Sequence, residues 1–295
     1  MTLTPHQQLT DQQRERILAL ARREESDSGR RPFGETVHQA LLDPQQSPEI
    51  VHWLWHAPDL QAYGAYVVGE QLLEITAQPD IPQAAHELLG SIKAQTTSAR
   101  LWAHGDRAQA RVAAALAGIP VQRELLIMGR SLSELPGVQS THADADTSHV
   151  TIRPFADVDE VALLQLNAAA FVDLPDQAGM TATQLRQQQQ QPWSDPDGFL
   201  VAEQGGRLVG FHWAKHDRDA RFDGQVSGEV YVLAVGDDQR GTGLAVRLLR
   251  QGLDYLRRQH LAHVHLYVDA QNVSAIRFYD RAGFTVIDSD REFVW

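Results

Sequence analysis

The chain of 295 residues contains no cysteine. That excludes disulfides and any thiolate nucleophile, so a cross-linked secreted scaffold and a cysteinyl acyl-enzyme are both ruled out. Positive charge is scarce: 26 Lys and Arg stand against 38 Asp and Glu, a formal net charge of −12. Nucleic acid is therefore a poor partner, because phosphate backbones reward clustered Lys and Arg. No apolar run approaches the length of a membrane span, and the N-terminus lacks the basic-then-apolar form of a signal peptide. These absences set the expectation of a soluble, cytoplasmic protein with neither nucleic-acid nor membrane partners. Apolar residues, by contrast, make up 43% of the chain. That content supports packed cores, and the length allows two domains.

The stretch from Gly228 to Leu249, GEVYVLAVGDDQRGTGLAVRLL, carries the strongest local signal. Glu229 to Val235 is a β-branched and aromatic run, which predicts a buried strand. Gly236 to Gly243 is a turn-rich loop, and Leu244, Leu248, Leu249 and Leu253 then recur at helical spacing through Tyr255. A strand, a glycine loop and a helix in that order present bare backbone N–H groups at a helix N-terminus, which suits an anion. Two familiar phosphate cradles do not fit. A Walker loop needs Lys and Ser or Thr where Leu244 and Ala245 stand, and a dinucleotide fingerprint needs a third glycine where Val246 stands. An R-G-x-G pyrophosphate turn, Arg240 to Gly243, is what remains.

The sequel makes this turn specific. Past the helix come a second strand, His263 to Val268, then Asn272-Val-Ser-Ala-Ile-Arg-Phe-Tyr279, then Gly283-Phe284. This order resembles the GNAT acetyltransferase superfamily, which uses acetyl-CoA. One departure is visible: Asp238 stands three residues before Gly241, where that superfamily usually has Gln or Arg. Coenzyme A is itself anionic, so its site must be locally basic, and Arg240, Arg247, Arg277 and Arg281 are the candidates.

The first half of the chain runs through the same order of elements. Thr10 with Gln13 forms a capping box that opens a helix through Arg23. A short helix Thr36 to Leu42, strands Val51 to His56, Gln61 to Val68 and Leu72 to Ala77, a helix Pro82 to Ala94 and a strand Arg100 to His104 follow. A helix Asp106 to Ala117, closed by Gly118, leads to a last strand, Leu125 to Arg130. Ser131 to Ser148 is rich in Ser, Asp, Pro and Gly and predicts a linker. The order restarts at Thr151, with Asp157 and Glu160 as a capping pattern before a helix to Ala170. The expected class is α/β (α+β by some schemes): two tandem GNAT (acyl-CoA N-acyltransferase) domains, each a mixed, mostly antiparallel central sheet flanked by helices. The expected division is 1–138, a linker at 139–148, and 149–295. Where the second copy has RGTG, the first has Asp80-Ile-Pro-Gln-Ala-Ala, and Ala114 stands where the second has Tyr279. The first copy is therefore expected to be degenerate and non-catalytic, a domain that shapes the site or binds CoA weakly.

Two copies of unequal quality resemble the mycothiol synthase family. The segments His104-Gly-Asp, Arg123-Glu-Leu-Leu-Ile-Met, Pro175-Asp-Gln177, Pro192-Trp-Ser-Asp-Pro-Asp-Gly-Phe199 and Gly210-Phe-His-Trp-Ala-Lys215 fit that family. The resemblance implies N-acetylation of the cysteinyl amine of a Cys–GlcN–inositol pseudodisaccharide by acetyl-CoA, without metal, in a monomer. By position it implies that Leu233, Ala234 and Val235 hold the thioester and pantetheine arm. Asp238, Gln239, Arg240, Gly241, Thr242, Gly243 and Leu244 would hold the pyrophosphate, and Asn272, Val273, Ser274, Ala275, Ile276 and Arg277 more of the arm. Glu35, Asp176, Lys215, Glu229 and Tyr267 match substrate contacts. Asp176 replaces a Glu usual in the family, one methylene longer, and the loop before RGTG is one residue short. A chain without cysteine also suits an enzyme whose product is a thiol, since mixed disulfides with product cannot form.

The chemistry is attack of a neutral amine on a thioester. An α-amino group has a pKa near ~8, so a base need only remove the proton from the ammonium fraction. Glu229 is the candidate base, acting directly or through water, and Tyr279 the candidate acid for the leaving thiolate. A backbone N–H near Leu233 could meet the oxyanion if its strand splays from its neighbour. Plainer readings exist: Glu229 as a solvated strand-end carboxylate, Tyr279 as a core residue with a satisfied hydroxyl, Lys215 as a surface lysine. His260, His263 and His265 are expected to be solvated or packed imidazoles rather than metal ligands, and Gln187 to Gln191 a helix extension or loop without chemistry. The functional alternatives are a GNAT enzyme for another amine (an aminoglycoside, a peptide or a protein terminus) and a CoA-binding sensor without catalysis.

Overall fold

The computed structural model describes residues 3–56, 58–133, 149–172, 175–216 and 226–295. The linker expected at 139–148 lies outside them. Contacts group the chain into two units: Met1–Ile127 with Asp269–Gln271 and Ile287–Trp295, and Met128–Val268 with Asn272–Val286. The last nine residues, read from sequence with the second half, thus group with the first unit.

The first unit opens with α1 (Asp11–Ser28). Gln13 N donates to Thr10 Oγ1 at 3.2 Å and Thr10 N to Gln13 Oε1 at 2.8 Å, the reciprocal cap expected from the sequence. The helix runs past Arg23 because its stop signal is Gly29, at φ 78°, whose N–H reaches Glu25 O at 2.8 Å. There follow α2 (Glu35–Leu42), β1 (Ile50–His56), β2 (Leu60–Val67), β3 (Leu72–Ala77), α3 (Pro82–Lys93), β4 (Arg100–Ala103), α4 (Gln109–Leu116) and β5 (Val121–Ser131). The strands β1, β2 and β3 form an antiparallel meander. β3 then runs parallel to β4 for three pairs, ending at Glu74↔Trp102. Leu73, Ile75, Leu88, Leu89, Ile92, Ala113 and Ala114 bury one face under α3 and α4, and Ile17, Phe33, Tyr63 and Val67 bury the other.

The second unit contains β6 (Thr151–Pro154), α5 (Glu160–Ala170), α6 (Pro175–Ala178), α7 (Ala182–Gln189), β7 (Phe199–Gln204), β8 (Arg207–Lys215), β9 (Ser227–Val235), α8 (Leu244–Arg258), β10 (His263–Asp269) and α9 (Val273–Arg281). The final strand, β11 (Thr285–Val294), lays residues 291–294 antiparallel against β4 in the first unit. The cap before α5 differs from the expected one. Asp159, not Asp157, accepts from Ala156 N at 2.9 Å and is held by Arg153 at 2.6 Å. The strands β6 to β9 are antiparallel neighbours, and β9 meets β10 in parallel. Leu244, Leu248, Leu249 and Leu253, the four leucines read as one helical face, are all buried. Gly252 stands beside them because a Cβ there would run into the ring of His212, a fully buried imidazole whose pKa burial pushes down to about 4.

Candidate active site

The second unit has an opening built by strand divergence. β9 and β10 pair at Ser227↔His263, Gly228↔Val264 and Glu229↔His265, and no further pair joins them among the described residues. The other edge of β9 stays laddered to β8 as far as Val235, opposite Gly210. Between Val230 and Val232 the ladder slips, so that Tyr231 is an extra residue opposite Trp213 and Ala214, a β-bulge. Leu233, Ala234 and Val235 therefore lie where β9 has left its parallel neighbour. That edge offers main-chain donors and acceptors to an amide-bearing arm.

The loop from Gly236 to Gly243 closes the end of β9. Gly241 and Gly243 adopt φ 77° and 88°, values that only glycine takes without strain. Gly243 is the residue before α8, and the N–H groups of Gly241, Gly243, Ala245 and Val246 have no acceptor among the described residues. They form a positive helix end of the kind that binds phosphate. The side chains expected in this grip have other partners. Asp238 is paired with Arg207, which holds its carboxyl below the usual carboxylate range. Gln239 is buried and donates to Gln204 Oε1 at 3.1 Å. Arg240 pairs with Asp237 at 2.8 Å on the surface, and Thr242 Oγ1 donates to Gln239 O at 2.8 Å. Asp238 and Gln239 thus shape the turn, while the donors are main-chain groups. The unusual Asp238 is matched by a cation, which removes the electrostatic objection to an anion nearby.

Beyond β10, exposed Asn272 caps α9, with Oδ1 accepting from Ala275 N at 3.0 Å. Val273, Ser274 and Arg277 are exposed, and Ala275 and Ile276 half-buried. Tyr279 is half-buried between Phe278 and Phe284, ring centroids 5.1 and 5.7 Å away, and desolvation raises its phenol above the ordinary value. Such a hydroxyl keeps its proton at neutral pH and can offer a hydrogen bond.

Glu229 occupies the last position of β9 paired with β10, half-buried, with Nε2 of His265 at 4.0 Å. His265 is itself buried and within 2.9 Å of Ser227 Oγ, and its ring lies edge-on to half-exposed Tyr267 at 5.8 Å. It is thus a packed imidazole beside the candidate base, and His263 is exposed. Lys215 stands opposite Glu229 in the β8–β9 register. Asp176 lies in α6, and Glu35, in the first unit, is exposed at the start of α2. Sequence reasoning overlooked Ser227, His265 as a neighbour of Glu229, and Tyr231. The first two follow from a two-residue alternation across paired strands, but the bulge that redirects Tyr231 leaves no local signature.

The family model described as acetyltransferase (GNAT) family matches residues 163–284. A protein of Actinosynnema mirum named mycothiol acetyltransferase is 37% identical over 99% of this chain and 98% of its own length. One of the same name from Streptomyces coelicolor is 34% identical over 96% and 92%. Among solved structures, a GCN5-related N-acetyltransferase from Sphaerobacter thermophilus superposes with a TM-score of 0.69 at 18% identity, covering 99% of this chain and 95% of that one. A tandem GNAT protein from the clavulanic acid biosynthesis pathway gives 0.68 at 14% identity, over 99% and 97%. These two likenesses show the tandem GNAT fold alone.

Proposed function

The chain belongs to the mycothiol acetyltransferase family and is an acyltransferase, and from that premise we propose that it acetylates the cysteinyl amine of Cys–GlcN–inositol with acetyl-CoA. The observation that carries the reading is the pairing of two open features in one unit: the free edge of β9 beyond Glu229 and the unsatisfied N–H groups at the start of α8. The first offers hydrogen bonds to the pantetheine arm and the thioester carbonyl, the second a positive end to the pyrophosphate. The substrate needs no acyl-enzyme, since no cysteine is available and the amine is nucleophile enough once neutral.

In this reading Glu229 accepts the proton of the attacking amine, directly or through one water. Tyr279 holds its proton until the thiolate leaves and then supplies it. Main-chain N–H groups near Leu233 face the carbonyl oxygen as it gains charge, and Asn272 and its helix turn line the arm. Lys215, Tyr267, Asp176 and Glu35 meet the acceptor. The division into repeats 1–138 and 149–295, a non-catalytic first copy, a monomeric state and a cytoplasmic setting belong to the same proposal.

The deciding experiment supplies acetyl-CoA with each of three amines: the pseudodisaccharide, an aminoglycoside and a peptide N-terminus. Release of CoA with the first alone is the expected result. Turnover of another amine with none of the pseudodisaccharide removes the specific assignment, and CoA binding without turnover of any amine favours a sensor.

A further inference from the structure

Lys215 ends against two aromatic rings. Its ammonium nitrogen lies 5.1 Å from the ring centroid of Trp193 and 5.9 Å from that of Tyr231, and the two rings are 5.1 Å apart at 59°. Trp193 is buried and backed by Trp213 at 5.6 Å, which stacks on Phe199 at 4.1 Å, which in turn stacks on Phe155 at 4.5 Å. The segment carrying Trp193 is also fixed. Trp193 O accepts from His216 N at 3.4 Å, and Asp195 accepts from Tyr255 Oη at 2.8 Å and from Asp197 N at 2.9 Å. Tyr231 reaches the same ammonium because it is the bulged residue of β9.

The rings matter for what a lysine ordinarily does. Its four-carbon stem is flexible and its charge strongly hydrated, so a half-exposed lysine samples many positions. A cation over an aromatic face is attracted by the ring quadrupole, which confines it without consuming its hydrogen-bond donors. An ammonium has three N–H donors, and those turned from the rings remain for a ligand. Trp213, fully buried, already serves as the core indole of this unit. Trp193 adds a face on which a charge rests.

We propose that Trp193, with Tyr231 as the second ring, is a positioning residue that fixes the Lys215 ammonium beside the register position of Glu229, so that a hydroxyl-rich amine acceptor meets a pre-placed donor. The proposal rests on the reading of Lys215 as an acceptor contact.

The test is a double-mutant cycle on steady-state constants with Trp193→Leu, Trp193→Phe, Lys215→Met and the double variant Trp193→Leu/Lys215→Met. Trp193→Leu is expected to raise the acceptor KM about 3- to 30-fold, the range of a partly desolvated cation–π contact, with kcat within about twofold. The KM for acetyl-CoA stays unchanged and serves as the control for folding. Trp193→Phe restores most of the loss, because a face remains. In the Lys215→Met background Trp193→Leu adds less than about twofold, since the group it positions is gone. Additive losses, a Phe variant as poor as Leu, or a loss shared by kcat and both KM values would show a merely structural tryptophan and overturn the proposal. If Lys215→Met alone leaves the acceptor KM unchanged, the underlying reading of Lys215 is what falls, and the cycle separates the two.

Discussion

The two units carry the same frame and treat it in opposite ways. In the second, parallel pairing stops at Glu229↔His265; in the first it stops at Glu74↔Trp102. Past that point the first unit is filled by its own polar groups. Glu24, buried on α1, accepts from Thr76 Oγ1 at 2.8 Å, Ala77 N at 3.0 Å and Gln109 N at 2.8 Å, joining the end of β3 to the start of α4. Glu74 accepts from Gly34 N at 2.9 Å and lies 2.9 Å from His104 Nε2, whose Nδ1 is 3.0 Å from Asp290; Asp290 in turn pairs with Arg30 at 3.3 Å. At the start of α3, Pro82 has no N–H and the donors of Ile81 and Ala84 turn to Gln78 and Ile81 carbonyls. In the first unit the region of the divergence thus carries its own carboxylates and imidazole, whereas beyond Glu229 no further pair joins β9 to β10 among the described residues.

The largest contrast expected is in coenzyme binding. Calorimetric titration with CoA should give one site per chain, and two sites would break the comparison. Next comes catalysis: Glu229→Gln should lower kcat by roughly 10³ and Tyr279→Phe by roughly 10², with CoA affinity nearly kept, whereas Glu74→Gln should leave kcat within about twofold. Equal losses at Glu229 and Glu74 would mean that register, not environment, sets the role. In stability the order reverses. Asp290→Ala removes the buried carboxylate shared by His104, Arg30 and Gly105 N and should cost about 3–5 kcal/mol in denaturant unfolding, against under about 1 kcal/mol for Glu229→Gln.

The same cluster predicts a pH dependence. Two flanking carboxylates raise His104 to about 10 despite its burial, from an unfolded value near ~6.5. A folded pKa above the unfolded one means stability fully present below pH ~6.5 and lost as pH climbs through the folded value. Melting temperatures from pH 6 to 10.5 should therefore fall more steeply in the wild type than in His104→Gln, a comparison a flat profile would refute. The smallest effect expected is at Gly252. In an exposed helix Gly→Ala gains about 1 kcal/mol, yet here the new Cβ meets His212, so melting of Gly252→Ala should show a loss instead.

The second unit was the more legible in sequence because its signals are local. Four leucines at helical spacing and the glycine loop before them depend on residues a few positions away, and the structure places both as expected; the cap at Asn272, equally local, was not read from the sequence. The unexpected stop of α1 is local as well, and Gly29 would have given it. His265 beside Glu229 and the ring pair over Lys215 required strand register and a bulge.

By itself the sequence determined the order of elements, the glycine turn before α8, the lack of glycine in the corresponding loop before α3 and the exclusion of a cysteine nucleophile, because composition and short-range spacing are enough to decide them. Only the tertiary structure decided that Glu24, Glu74, His104 and Asp290 close the first unit. Those residues are up to 266 positions apart in the chain (290 − 24), and a carboxylate reveals which N–H it accepts from only when folding has brought the two within hydrogen-bond reach.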